Sequence, residues 1–359
     1  MSEVELLVNG SKYAGWKSVR VTRTIQGLAG SFALDVSDRW GTELWPIVEG
    51  DECSVLINGQ PAITGYIDRR SISASSTSRT LAYQGRDRAA AMVDSSAYLS
   101  RWTLRDMETV DVVRKIAAAF GCDVAVQGGL KLDRISKLVV APGDTAYEVI
   151  RAAIVDQGVL IVSDGVGGIL LTRAGSTRGA PLVEGVNIES ASVDYDATGR
   201  YYRYVVVSQS AGTDEAPAGL TRARAEAIDE DVRRTDRTLI VRPEKGTSTE
   251  HARRRADWEA RIRAARAETV TVSVQGWDQP GGLGLWRPNL LAQVSARRLL
   301  GVDGDMLVSQ VDYSIGNDGG QVTQLQLVRP DAFAPEPKSS TTPRIGGAGL
   351  WKELAKGGL

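Results

Sequence analysis

The chain has 359 residues, 42% of them hydrophobic and 24% charged, with a formal net charge of −1. That is ordinary globular composition over a length suited to two or three domains, which excludes extended disorder for most of the chain. A pI near 6.1 lacks the basic surplus with which dedicated nucleic-acid binders neutralise phosphate, so stable nucleic-acid binding is not expected.

No apolar run approaches the ~18 residues of a membrane span, and MSEVELLVNG carries no basic segment followed by an apolar core. The expectation is a soluble chain made in a cytoplasm, without membrane insertion. The two cysteines, Cys53 and Cys122, read as small buried hydrophobes, and their spacing excludes a CxxC-type metal site. No cofactor is expected.

The first β-region begins with Glu3–Val8, turns at Asn9-Gly10 and continues through Trp16 to Thr22. Gly30–Asp38 alternates, placing Phe32, Leu34 and Val36 on one face. Asn58-Gly59 then separates two alternating runs, with Cys53, Val55 and Ile57 before it and Ile63 and Ile67 after it. This is a strong hairpin signal, since both turn residues tolerate positive φ. A further strand, Arg79–Tyr83, runs into the polar sequence Gly85-Arg86-Asp87-Arg88. Six or so short strands closed as a small barrel or sandwich are predicted over residues 1–99.

From Asp106 the period changes. Val113, Ile116 and Phe120 predict a helix stopped by Gly121. Thr145 and Glu148 form a capping box that opens a second helix, ending at Gly158. Val159–Val162 and Ile169–Thr172 read as a hairpin, which completes an α+β module over 100–178. A second β-region is assigned to 179–211 and 268–330. A helix-bearing insertion, 212–267, opens its helix at the capping box Thr247-Ser248-Thr249-Glu250. Residues 331–359, rich in Pro and Gly, read as a linker with an apolar cluster at Leu350, Trp351 and Leu354.

Residues able to carry chemistry do not assemble into a catalytic set. His251 is the only histidine and shares a helix face with Trp258, Ile262 and Ala265, so it reads as packing. Asp194/Asp196 and Asp303/Asp305 lack the spacing of a calcium loop and read as solvated carboxylates. Gly165–Gly168 and Gly281–Gly284 complete no phosphate-binding motif and read as turns. Arg253, Arg254, Arg255, Arg261, Arg263 and Arg266 are interleaved with acids and read as a salt-bridged helix face. Eight tryptophans against three phenylalanines is unusual. Many stand at strand ends and turns, where tryptophan is a frequent interface anchor. Trp286, Leu350, Trp351 and Leu354 are the candidates for partner contact.

Gly30-Ser31-Phe32 through Trp40, Gly50-Asp51, Pro61-Ala62-Ile63-Thr64-Gly65-Tyr66-Ile67-Asp68, and Gly85-Arg86-Asp87 through Val93-Asp94 occur in an order and spacing that resembles the baseplate hub (tail protein P) family of Mu-like contractile-tailed phages. The resemblance implies a mainly β fold with α+β insertions and two tube-like β-barrel domains per chain. It implies a homotrimer whose six barrels adapt a sixfold tail tube to a threefold central spike, with no catalytic residues. Its implied partners are further copies of itself, the spike, the tube or an adjacent tube-like protein, and baseplate wedge proteins. Its implied location is the virion tail baseplate. Phage DNA would pass transiently through a near-neutral or acidic lumen. Two other classes are kept beside it, a tail-associated cell-wall hydrolase using a carboxylate pair and a glycan- or receptor-binding tail protein suggested by the tryptophans.

Overall fold

The computed structural model describes residues 4–38, 46–76, 79–154, 157–175, 177–209, 222–242, 248–315 and 320–337. The chain divides into two compact units, one of Met1–Thr198 with Ile262–Pro335 and one of Gly199–Arg261 with Glu336–Leu359.

The larger unit opens with β1 (Val4–Val8), β2 (Ser11–Tyr13), β3 (Ser18–Thr24), β4 (Ser31–Asp38), β5 (Glu52–Ile57), β6 (Gln60–Ala74) and β7 (Arg79–Asp87). Asn9 and Gly10 have φ of 50° and 79°, and Asn58 and Gly59 have 52° and 74°. Both Asn-Gly corners therefore have the paired positive φ of a type I′ turn. An α+β module follows, with α1 (Ala90–Asp94), β8 (Thr103–Glu108), α2 (Thr109–Ala118), β9 (Val124–Val126), β10 (Arg134–Val139), α3 (Ala146–Ile154), β11 (Leu160–Ser163) and β12 (Ile169–Thr172). A second β set comprises β13 (Thr177–Arg178), β14 (Leu182–Val183) and β15 (Ser190–Tyr195). The smaller unit holds the strands β16 (Arg203–Gln209), β17 (Arg222–Ile228) and β18 (Thr238–Val241) and the part of α4 (Thr249–Arg266) up to Arg261. The second set then resumes with β19 (Glu268–Gln275), β20 (Leu290–Ala296), the short α5 (Arg297–Leu300), β21 (Val302–Ile315) and β22 (Gln321–Val328).

The two β sets form one sheet, in the order β15-β19-β22-β21-β3-β4-β7-β6-β5-β1-β2, with β20 on β21 and β13 and β14 on β20. The join is β21. Its first half pairs with β20 (Leu291↔Leu307 to Ala296↔Val302) and its second half with β3 (Gln310↔Thr24 to Ser314↔Arg20), while β22 runs along its other edge. Alternation drives the burial. Cys53, Val55 and Ile57 of β5 point inward, as do Val270, Val272 and Val274 of β19. One apolar core draws on both sets, among others through Leu6, Leu34 and Tyr83 from the first and Val272, Tyr313 and Leu325 from the second. The fold is mainly β with α+β additions, as the sequence pattern predicts.

In the module, α2 and α3 bury Val112, Val113, Ile116, Val149 and Ile150 against the short strands. The Thr145–Glu148 box is formed: Thr145 N–H donates to Glu148 Oε2 at 2.8 Å and Glu148 N–H to Thr145 Oγ1 at 3.2 Å. The hairpin expected at residues 159–172 is β11–β12, and β9 adds to it in parallel.

The smaller unit corrects one assignment. The strand at residues 203–209, expected in the second β-region, pairs antiparallel with β17 and parallel with β18 in a separate three-stranded sheet. Tyr204, Val205 and Val206 are all buried, and an unbroken apolar run of this kind carries no information about which sheet receives it. Tyr204, Val206, Ala223 and Ala227 pack with Ala252 and Ala256 of α4. The start of α4 also shifts by one residue, because Ser248 is the cap, its Oγ accepting the His251 N–H at 3.2 Å. His251 itself is buried.

Candidate functional site at the Asp87 junction

Three of the four segments that carry the family resemblance converge on one place. β6 and β7 pair Gly65 with Asp87 and Ile67 with Gly85. A Cβ on Gly65 would stand 2.0 Å from the Arg86 carbonyl oxygen, and one on Gly85 would stand 2.1 Å from that of Tyr66. Only glycine permits this approach. A Cβ on Gly30 would likewise meet the Thr22 carbonyl oxygen at 2.9 Å. Gly65 lies against the Asp87 backbone, and a Cβ on Gly30 would also stand 3.3 Å from Asp87 Oδ2.

Asp87 is 2% exposed, and its Oδ2 accepts the Gly30 N–H at 2.6 Å. Burial pushes its carboxyl from an ordinary 3.8 up to about 6, against the opposing pull of hydrogen bonds from Gly30, Ser163 and Ala89 and of the Arg23 charge. The flanking arginines turn outward and tie the first β set to the module. Arg86 donates to Asp68 at 2.8 Å and, bidentately, to Asp94 at 3.2 and 2.7 Å. These bonds, Asp94 foremost, hold the Arg86 guanidinium above its usual range and the Asp94 carboxyl below its own. Arg88 pairs with Glu52 and donates to the Gly121 carbonyl at 3.1 Å. The sequence Gly-Arg-Asp-Arg is thus a joint between strand and module.

A cavity of about 390 Å³ lies beside this joint, lined by Arg23, Gly30, Asp87, Ser163, Leu285 and Asn289 among others. A buried acid with a raised pKa beside a cavity is a pattern seen in active sites. Here the geometry favours a structural role. Asp87 is buried, and its Oδ2 is committed to the Gly30 N–H. The nearby Asp164 spends Oδ1 on the N–H groups of Val166 and Gly168, which shapes the glycine turn between β11 and β12. No group of three or more His, Cys, Asp or Glu placed to hold a metal occurs among the described residues. Cys53 and Cys122 are both buried free thiols, pushed by that burial up to about 12 and about 11.

The comparison with known proteins bears on the same segments. Residues 3–87 match the N-terminal domain of the Mu phage baseplate assembly protein GpP-like model, 89–173 the second domain of the gp44-like baseplate hub model, and 248–336 the fourth domain of the GpP model. The chain is 30% identical to the baseplate hub protein gp44 of Escherichia phage Mu, across 96% of this chain and 92% of that one. It belongs to the Mu-like baseplate hub family. The 43 kDa tail protein of prophage MuSo2 from Shewanella oneidensis aligns with a TM-score of 0.82 at 27% identity, covering 93% of this chain and 99% of that one. A tail protein of Neisseria meningitidis shares the fold, with a TM-score of 0.77 at 21% identity over 93% of this chain and 98% of that one. The joint falls where the first hub-family match ends, at residue 87, and the second begins, at residue 89.

The sequence-predicted contact residues fare unevenly. Trp286 is corrected: it is 1% exposed, its carbonyl accepts the Tyr313 hydroxyl, and it belongs to the core shared by the two β sets. A tryptophan near a strand end signals a large apolar side chain without saying on which side of the sheet it falls. Leu350, Trp351 and Leu354 lie outside the described residues. Trp16 and Trp277 are buried too, whereas Trp102 is exposed. The carboxylate pairs stay apart from the joint. Asp305 is bound bidentately by Arg178 at 3.0 and 2.7 Å, Asp303 pairs with Arg297, and Asp194 is exposed on β15. On α4, Arg255 pairs with Glu259 at 3.0 Å and lies over the Trp258 ring at 4.7 Å, the salt-bridged face its acidic neighbours suggest. The structural weight of Asp87 is the feature that sequence reasoning missed. A lone aspartate between two arginines looks solvated, and the only hint of burial was the glycine two residues before it.

Proposed function

We propose that this hub-family chain is a structural, non-enzymatic ring component of a contractile-tail baseplate. Three copies would form a closed ring that adapts a sixfold tube to a threefold spike and leaves a passage for DNA. The observation that carries this reading is the single sheet through which β3 and β21 fuse two β sets within one chain. A trimer of such chains presents six β lobes, which resolves a mismatch between sixfold and threefold neighbours, and a cyclic trimer uses contacts that close on themselves. Fusion through a ladder of main-chain hydrogen bonds suits a part that transmits force. Within the second set, Thr271, Ser273, Gln324 and Gln326 alternate with the buried residues. They give that outer face hydroxyl and amide groups in place of cations, a surface with little attraction for a passing phosphate backbone.

Sedimentation of the purified chain tests the ring. A species near 115.5 kDa, three times the 38.5 kDa chain, supports it, and a stable monomer at micromolar concentration opposes it. The hydrolase alternative predicts clearing of a peptidoglycan suspension by the purified chain. The structural reading predicts none.

A further inference from the structure

The large exposed hydrophobic residues of the larger unit include two clusters of opposite charge. The first is on the module. Tyr98, Trp102 and Val139 are exposed by between 44% (Trp102) and 91% (Tyr98). They lie on and beside the β8–β10 ribbon, where Val139 faces Thr103 and the Val140 N–H donates to the Trp102 carbonyl at 2.9 Å. The same ribbon sets Arg105 directly opposite Lys137, and Arg101 precedes Trp102. Like charges opposed across a ladder are destabilising. Among the described residues, none of these three cations has an ion-pair partner within 4 Å, so no ion pair among them offsets that cost.

The second cluster is at the edge of the second β set. β15 ends the sheet. Beside it Val186, Tyr195 and Leu299 are exposed by between 57% (Leu299) and 79% (Val186). Glu184 draws the turn before β15 and α5 together, accepting from Arg298 Nε at 2.7 Å and from the Leu299 N–H at 3.2 Å. The nearby arginines are therefore spoken for, Arg298 by Glu184 and Arg297 by Asp303. Glu189 and Asp194 remain exposed and, among the described residues, without an ion pair.

We infer that these two clusters are the two halves of a heterologous contact between copies of this chain, the basic aromatic ribbon of one protomer meeting the acidic β15 edge of the next. The inference rests on the ring reading above and supplies its interface. Each half joins exposed apolar side chains to a surplus of unpaired charge, three cations beside the one acid Asp106 on the ribbon and two acids at the β15 edge, and the two surpluses are of opposite sign. Trp, Tyr and Arg are the types that dominate interface energetics. Because the halves differ, the contact propagates head to tail, which a closed ring requires. Nucleic acid is a weaker match for the ribbon, with three cations on a chain of net charge −1.

The test is sedimentation of the full chain with charges exchanged. Arg105→Glu with Lys137→Glu should raise the dissociation constant of the wild-type oligomer at least tenfold, and so should Glu189→Lys with Asp194→Lys. Carrying all four substitutions in one chain should restore assembly. Trp102→Ala, at an exposed position that leaves the fold intact by circular dichroism, should weaken assembly on its own. An oligomer unmoved by either reversal and by Trp102→Ala overturns this interface while leaving the ring reading standing. Reversals that each disrupt assembly without mutual rescue overturn the pairing of the two clusters. A monomeric wild type overturns the ring reading and the interface with it. Oligomer intact but duplex DNA retention lost on Arg105→Glu/Lys137→Glu would assign the ribbon to nucleic acid and overturn the contact.

Discussion

Asp87→Asn should make the protein more stable at neutral pH, against the usual expectation for a buried hydrogen-bonded group. The folded carboxyl titrates at about 6 and an ordinary aspartate at 3.8, a gap worth about 3 kcal/mol. The sign follows from linkage. Between those two values the folded state holds a proton that the unfolded chain has released, so stability contributed by this group falls as pH rises from about 4 to about 6 and stays low above it. Asparagine keeps an oxygen to accept the Gly30 N–H and removes the buried charge. The gap already sets the hydrogen bonds to the carboxylate against the cost of burying it, so the gain at pH 7 approaches about 3 kcal/mol. For a chain of this size that is about 4 °C in melting temperature. At pH 4, where the wild-type carboxyl is protonated in the fold, the order should reverse or vanish. Calorimetry of both proteins at pH 4, 5, 6 and 7 reads the difference directly. A wild-type-minus-variant difference that does not change across this range would refute the burial argument.

Three further outcomes follow from the geometry. Gly85→Ala forces a Cβ to 2.1 Å from the Tyr66 carbonyl oxygen and should cost upwards of ~3 kcal/mol, seen as loss of soluble protein or a collapse in urea midpoint. Gly59→Ala, where the Cβ meets nothing within 4 Å but φ is +74°, should cost only about 1 kcal/mol in the same assay. Thiol titration at pH 8 should show both cysteines unreactive in the native state and two reactive thiols after denaturation, since burial holds their pKa values at about 12 and about 11.

The parts legible in the sequence were those set by local chemistry. The Asn-Gly corners, the Thr145–Glu148 box, the residue 159–172 hairpin and the alternation of β5 all follow from a few adjacent residues. What escaped depends on distant partners. The ribbon β8–β10 joins Thr103–Glu108 to Arg134–Val139, and neither strand has clean alternation, because the residues of one parity include both the charged pair Arg105 and Lys137 and the pair Met107 and Ile135, which pack on the module core. β21 looks like an ordinary strand, yet its 14 residues serve two neighbours on one edge. β16 announces a buried strand and not its sheet. At the joint, Gly65 and Gly85 stand within the segments that carry the resemblance, but their use in packing β6 against β7 depends on the register. Trp286 shows the same limit in reverse, since its size was legible and its side of the sheet was not.

Native mass spectrometry of the chain mixed with a candidate central spike protein tests the central claim most directly. The account predicts three copies of this chain bound to one spike trimer, in an assembly stable enough to isolate. A monomer that ignores the spike, or a ring of six copies, would contradict it.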